Sequence, residues 1–186
     1  MGYYDIDDIL AENTKFACSF NYEIPGLGYL EGSNGKPIHK NAKVELPFWL
    51  GNVLAIVPGD HEHEDEEPQP FVQLLAPEIF SNRVINAIKA NPRGLDIHSI
   101  NGHFYALAVK WATLFSDAEL VQVLSDMILE RAQEINSHAS SVSLDPDLML
   151  SDTTARFQLT LDEFEKNLYR VTHDSYKRAK LWLTKK

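Results

Sequence analysis

A chain of 186 residues suffices for one mid-sized domain or one domain with a small appendage, and its 44% hydrophobic and 24% charged content is ordinary for a globular protein. A net charge of −10 with a pI near 5.1 argues against a stand-alone nucleic-acid binder, because phosphate contacts need Lys and Arg in excess; basic partners in an assembly would relax that argument. The single cysteine, Cys18, excludes an internal disulfide framework and suits a reducing compartment, no apolar run is long enough to span a bilayer, and the acidic start MGYYDIDDIL predicts neither a secretory signal nor a transit peptide.

Tyr4 to Glu12 reads as a short helix with Asp5 as N-cap and Ile6, Ile9 and Leu10 on one apolar edge. From Thr14 to Ile24 the aromatic and small apolar residues Phe16, Cys18, Phe20 and Tyr22 alternate with Lys15, Ser19, Asn21 and Glu23, which is strand period. Pro25-Gly26 breaks that strand, Gly28 to Leu30 is expected to begin a second, and EGSNGK at 31–36 offers Asn34-Gly35 as a hairpin turn. Lys43 to Leu46 is the third predicted strand. Pro47 suits the first position of a helix bearing Phe48, Trp49, Leu50, Val53, Leu54 and Val57, ended by Pro58-Gly59. Three short strands bury little alone, so this N-terminal part is expected to lean on something else.

Residues 60–70, DHEHEDEEPQP, hold six acids and no Lys or Arg, the composition of a solvated linker. Phe71 to Leu75 is a candidate strand, and a helix is expected from Pro77 to about Ala90, stopped by Asn91-Pro92. Leu95 to Phe115 then repeats apolar residues (Ile100, Phe104, Leu107, Ala108, Trp111, Leu114, Phe115) at three- and four-residue steps, with Asp96 as its cap. Tyr105, Val109 and Ala112 extend that character around the helix, which predicts a central helix covered on most sides. Ser116 and Glu119 form a predicted capping box, with Phe115 and Leu120 as its staple, for a helix to about Ser137. Residues 139–156 read as a surface loop. Thr160 and Glu163, with Leu159 and Phe164, repeat the box and staple. The last helix is predicted to bury Leu161, Phe164, Leu168, Val171, Ser175 and Trp182. Acids open that helix, and from Lys166 onward seven bases face one acid, Asp174, which suits the helix dipole and leaves a basic tip.

Sites for chemistry are sparse. His61 and His63 flank acids but lack the further ligands at defined spacing that zinc needs, and His98 and His103 fall on different helix faces. Cys18 reads as a small buried hydrophobe, and the Walker loop, the dinucleotide fingerprint, the nucleophile elbow and H-E-x-x-H are all missing from the sequence. The expectation is therefore a protein without enzymatic activity, metal or cofactor; a small hydrolase would need converging polar groups that the sequence does not display. Lys177, Arg178 and Lys180 on the last helix could meet DNA, an acidic protein surface or nothing, so a direct nucleic-acid-binding module is the alternative reading. The apolar helix after Pro47 carries more hydrophobic surface than its small unit can cover, which points to a protein partner.

YYDIDDIL, IPGLGYLE, VELPFWL at 44–50 and LDIHSINGHFYALAVKW at 95–111, in this order, resemble the third-subunit family of the eukaryotic GINS complex over nearly the whole chain. The resemblance implies an α+β, mainly α protein: a small β-rich B domain followed by a larger helical A domain, a helix bundle. Combined with the reading above, it places the B domain at 1–57, the acidic linker at 58–70 and the A domain at 71–186. It also implies a nuclear, non-catalytic subunit of a heterotetramer with three other GINS subunits. That tetramer joins the MCM helicase ring and a RecJ-like partner, reaching DNA indirectly and involving no membrane. On this reading Leu46, Pro47, Phe48, Trp49, Leu50, Phe104 and Tyr105 are the candidate subunit contacts. Trp111 is a further aromatic anchor candidate for which core packing competes, and for Trp49 core and interface stand even.

Overall fold

The computed structural model describes residues 4–59, 69–141 and 152–184. The chain divides into two compact units, 1–78 and 79–186, and the architecture is α+β, mainly α.

The first unit begins with helix α1 (Ile6–Glu12), capped by Asp5, whose carboxylate accepts the Asp7 N–H at 3.2 Å. Strand β1 (Lys15–Phe20) follows and buries Phe16, Cys18 and Phe20 in alternation, as the period predicts. It is the middle strand of a three-stranded antiparallel sheet of order β2-β1-β3. Strand β2 (Lys43–Pro47) sets Leu46 opposite Phe16, and β3 (Val72–Leu74) sets Val72 opposite Phe20 and Leu74 opposite Cys18. Residues 72–74, expected with the helical domain, thus belong to the N-terminal sheet. The described residues on either side of the acidic stretch both belong to this unit. The ends of that stretch are tied by Gly59 N–H donating to the Gln69 carbonyl at 2.9 Å and Phe71 N–H to the Val57 carbonyl at 3.2 Å. The body of the predicted linker, residues 60–68, and with it His61 and His63, lies outside the described residues.

The strand expected at Gly28 is instead a turn of 3-10 helix, Gly28–Glu31. Left-handed glycines at Gly26 (φ 82°) and Gly32 (φ 78°) bend the chain on both sides of it, leaving only a single bridge, Ile24 to Ile38, where a hairpin was expected. Gly28 is required there sterically: a Cβ would stand 2.3 Å from the Lys36 carbonyl oxygen.

Helix α2 (Phe48–Ile56) starts one residue later than predicted. Pro47 ends β2 and caps the helix without a side-chain bond, and the Phe48 N–H, one of the first-turn donors with no partner inside the helix, donates to the Thr14 carbonyl at 2.9 Å. The helix lies on the sheet through Gly51, where an added Cβ would meet Leu74 Cδ2 at 2.9 Å and Cys18 Sγ at 3.3 Å. Burial also raises the Cys18 thiol pKa.

The second unit is a bundle. The helix expected from Pro77 is a 3-10 turn, Glu78–Phe80, then α3 (Asn82–Ala90), because Ser81 takes an extended conformation between them. The predicted central helix is two helices, α4 (Ile97–Ile100) and α5 (Phe104–Phe115). Asn101 is extended (φ −164°, ψ 133°) and its side chain accepts the His103 N–H at 2.7 Å, so a local Asx turn outcompetes the helical ladder. Asp96 caps α4 as expected, accepting from Ser99 N–H at 3.0 Å; the Ser99 hydroxyl and N–H hold its carboxyl below the usual range.

Helix α6 (Ala118–Ser140) is capped by Asp117, which accepts the Leu120 N–H at 3.0 Å, while Ser116 sits left-handed (φ 53°) at the end of α5. Helix α8 (Glu163–Thr184) is likewise capped by Asp162 rather than Thr160. Both predicted boxes are therefore off by one or two residues, an aspartate taking the cap each time. Of the loop expected at 139–156, Ala139 and Ser140 are helical, α7 (Asp152–Leu159) occupies its end, and residues 142–151 lie outside the described residues.

Helices α5 and α6 touch, with Phe104, Leu107, Ala108 and Trp111 buried on the first and Leu120, Val123, Leu124 and Met127 on the second, and Ile135, Ala139, Leu161 and Tyr169 form a buried cluster with Phe157 and Leu168 packed against it.

Replacing Gly28 by Ala forces a Cβ against backbone that cannot step aside. In the full chain Gly28→Ala is expected to destabilise the N-terminal unit by about 2 kcal/mol or more, read as a lowered urea midpoint followed by Tyr and Trp fluorescence.

Candidate protein interface

The predicted contact residues separate cleanly by burial. Leu46 and Phe48 are interior, the Phe48 ring meeting Phe16 edge-on at 5.2 Å. Phe104 is interior too, against Phe80 at 5.8 Å, and Tyr105 and Trp111 are buried. These five are core: each side chain is used up within its own unit. Pro47 and Leu50 are half-buried, and Trp49 alone among the candidates faces out, 49% exposed. Trp49, Val53 (53%) and Ile56 (67%) follow at steps of four and three, so one continuous stripe of α2 meets solvent while Phe48 and Gly51 meet the sheet.

A second stripe was read in the sequence as the apolar edge of α1 without being given a role: Ile6, Ile9 and Leu10 are exposed by 70%, 53% and 49%. In the bundle, α5 and α6 leave a groove of about 360 Å³ between Val109, Ala112, Val121, Leu124 and Ile128. All three hydroxyls on its lining are engaged, Thr113 donating to the Val109 carbonyl at 2.7 Å, Ser125 to the Val121 carbonyl at 2.8 Å and Tyr105 to Glu165 at 2.9 Å, so the groove is mainly apolar. Lys177, Arg178 and Lys180 are exposed near the end of α8.

What holds these helix faces in place was not legible in the sequence. Arg131 of α6 is completely buried and grips Glu165 of α8, also completely buried, with two parallel bonds, Nε to Oε1 at 2.5 Å and Nη2 to Oε2 at 2.8 Å. Its remaining nitrogen, Nη1, donates to the carbonyls of Pro92 and Leu95, each at 2.9 Å. The Tyr105 hydroxyl donates to Glu165 Oε1 at 2.9 Å; burial, and then the Glu165 charge beside it, raise the phenol's pKa. Asp162 accepts backbone N–H groups from Glu165 at 2.8 Å and Tyr105 at 3.3 Å. Burial pushes the Asp162 carboxyl up to about 6, against the pull of those two N–H groups. At the rim, Lys166 donates to Glu163 at 2.8 Å and holds that carboxyl low. Among the described residues no group of three or more His, Cys, Asp or Glu is arranged to hold a metal ion, and no helix is long and apolar enough to cross a membrane.

A small antiparallel sheet capped by an apolar helix, followed by a bundle whose helices are locked by a buried ion pair, defines a two-unit α+β protein of the GINS helical-bundle class; the family model for the GINS complex protein helical bundle domain matches residues 79–184. The PSF3 N-terminal domain model matches residues 4–56. The DNA replication complex GINS proteins PSF3 of Eremothecium gossypii and Kluyveromyces lactis are each 59% identical to the chain, and that of Saccharomyces cerevisiae 53%, with the whole of both sequences covered in every case. The chain belongs to the PSF3 family of GINS proteins.

Two outcomes test the buried network. Arg131→Ala strands the Glu165 carboxylate in the core and is expected to cost about 3–5 kcal/mol, whereas Arg131→Met with Glu165→Leu should recover most of that loss; urea unfolding of both variants checks it. Asp162 is protonated in folded and unfolded chains alike below about pH 3, but between about pH 4 and 6 the unfolded chain has ionised and the folded one resists. The residue's contribution should therefore fall by about 3 kcal/mol as pH rises from 3 to 7, a slope that Asp162→Asn should flatten in urea midpoints taken across that range.

Proposed function

We propose that this chain is a non-catalytic scaffold subunit of a GINS complex acting in DNA replication. The finer reading is a nuclear heterotetramer with three other GINS subunits that joins the MCM ring and a RecJ-like partner to form the replicative helicase, with DNA reached through the assembly. One observation carries the subunit role: large apolar side chains stand outside on both units, Trp49, Val53 and Ile56 on α2 and Val109 and Val121 beside the mainly apolar groove of the bundle. Patches of this kind in water mark protein contacts. Family membership says which kind of contact to expect: the curated relatives are named as proteins of the DNA replication complex GINS.

The buried candidates support the same reading in a different way. Leu46, Phe48, Phe104 and Tyr105 keep Trp49 and the α5 face in position from beneath, so their loss would weaken assembly only by loosening the unit that presents it.

Expressed alone, the chain should bind a hydrophobic dye and aggregate; co-expressed with the other three GINS subunits it should run as one stoichiometric species. Trp49→Asp with Val53→Asp should weaken that species by about 30-fold or more in dissociation constant while leaving the far-ultraviolet spectrum unchanged, since a central aromatic contact contributes about 2 kcal/mol or more. A monodisperse, dye-silent monomer that ignores the other subunits would sink the proposal.

A further inference from the structure

Two Asn-Gly dipeptides stand in the chain, Asn34-Gly35 and Asn101-Gly102, and the fold holds them in opposite ways. Asparagine before glycine is prone to a spontaneous ring closure. The glycine amide nitrogen attacks the asparagine Cγ, ammonia leaves, and a succinimide forms; with no Cβ on the glycine, nothing obstructs the approach. Water then opens the ring at either carbonyl, giving aspartate or, with the main chain rerouted through Cβ, isoaspartate. No enzyme is needed, only a free amide nitrogen, a free carboxamide and room for both to turn.

Residues 33–36 offer all three. The Lys36 N–H donates to the Ser33 carbonyl at 3.3 Å and Gly35 has φ 78°, the arrangement of a type II turn with Asn34 and Gly35 at its centre. Neither the Gly35 N–H nor the Asn34 carboxamide has a hydrogen-bond partner among the described residues. Both residues are exposed, and a Cβ on Gly35 would meet nothing within 4 Å. The ends of the turn are held instead: the Gly28 N–H donates to the Lys36 carbonyl at 2.9 Å and the Ser33 N–H to the Gly28 carbonyl at 2.8 Å. The tip can therefore rotate between fixed ends by breaking one long bond.

At the second dipeptide the same atoms are engaged. Asn101 Oδ1 accepts the His103 N–H at 2.7 Å, the Asn101 N–H donates to the Ile97 carbonyl at 3.0 Å, and the Gly102 carbonyl accepts the Glu163 N–H at 2.9 Å. Ring closure there must pull the carboxamide off the start of α5 and move a residue tied to α8. From this contrast we propose that Asn34 is a site of spontaneous deamidation and isoaspartate formation, which ages the N-terminal unit. Isoaspartate lengthens the main chain between Ser33 and Lys36 by one methylene and adds a carboxylate. The two bonds that tie those residues to Gly28 can then no longer both keep their lengths, so the 3-10 turn at Gly28–Glu31 loosens. The new isoaspartyl carboxylate is also an acceptor for methyl transfer from a sulfonium donor, whose sulfur leaves as a thioether.

The test ages the full chain in mildly alkaline buffer, with and without urea, at a dilution where light scattering detects no aggregate. Peptide mapping by mass spectrometry with electron-transfer fragmentation then separates isoaspartate from aspartate. In urea both sites should convert at similar rates, each gaining about 1 Da. In the folded chain Asn34 should keep its urea rate within about threefold, while Asn101 slows about tenfold or more because its hydrogen bonds must open first. Asn34→Gln, whose longer side chain closes a larger ring far more slowly, should remove the fast product and leave Asn101 as in the wild type. Aged wild-type chain, but not aged Asn34→Gln, should show a lowered urea midpoint. If folding slows Asn34 as much as Asn101, or if Asn101 converts as fast as Asn34 in the folded chain, the hydrogen-bond contrast does not govern the chemistry and the inference falls. An unchanged midpoint once isoaspartate predominates at residue 34 would overturn the ageing effect.

Discussion

The bidentate grip of Arg131 on Glu165 decides the geometry of the bundle. Two opposite charges at zero exposure are tolerated only because every donor of the guanidinium side that faces the core finds an oxygen: two on Glu165, two on the carbonyls of Pro92 and Leu95. The pair joins α6, α8 and the segment leading into α4 at one point, and Tyr105 brings α5 to the same carboxylate. A core of leucines would accept small rotations of these helices; a buried charge with fixed hydrogen-bond directions does not. Asp162 extends the constraint, since it caps α8 and receives the first turn of α5 through the Tyr105 N–H.

The N-terminal unit solves a different problem with less material. Its strands are six, five and three residues long, too short to bury much by themselves. It gains stability from close approach: Gly51 lets α2 settle on Cys18 and Leu74, and Gly28 lets the 3-10 turn close on Lys36. The cost of this economy is an apolar helix with one face on the sheet and the other in solvent. The same helix that completes the unit's core therefore presents Trp49, Val53 and Ile56 outward, and the function proposed here follows from that division of one helix between two tasks.

Much of this was legible from local pattern. The alternation of Phe16, Cys18 and Phe20 identified a strand with one buried face, and the small β-rich part preceding a larger helical part is the architecture found. The candidate contacts were read less well, because spacing says which residues are apolar and not which face another element has claimed. Phe48 and Trp49 are adjacent and equally aromatic, yet one fills the core and the other meets water, since the sheet lies on only one side of α2. The stripe expected on α8 held only in part, for the same reason: Leu161 is buried and Leu168 packs beside it, but Phe164, Val171 and Trp182 are exposed, while Glu165, a charge that periodicity would place outside, is completely buried against Arg131.

Sequence alone determined the composition class, the order of a small sheet before a helical part and the approximate extent of most helices, because these depend on residues within a turn or two of one another. It also carried the family motifs in order. Tertiary structure decided where helices break, which strand closes the sheet and which apolar residues remain outside. Asn101 ends a helix that hydrophobic period alone would continue, β3 returns across the acidic stretch to pair with β1, and Arg131 finds a partner thirty-four positions away. The last two outcomes rest on contacts between distant residues, whose energies have no signature in local spacing, and the first on a local Asx turn that the spacing of apolar residues does not register.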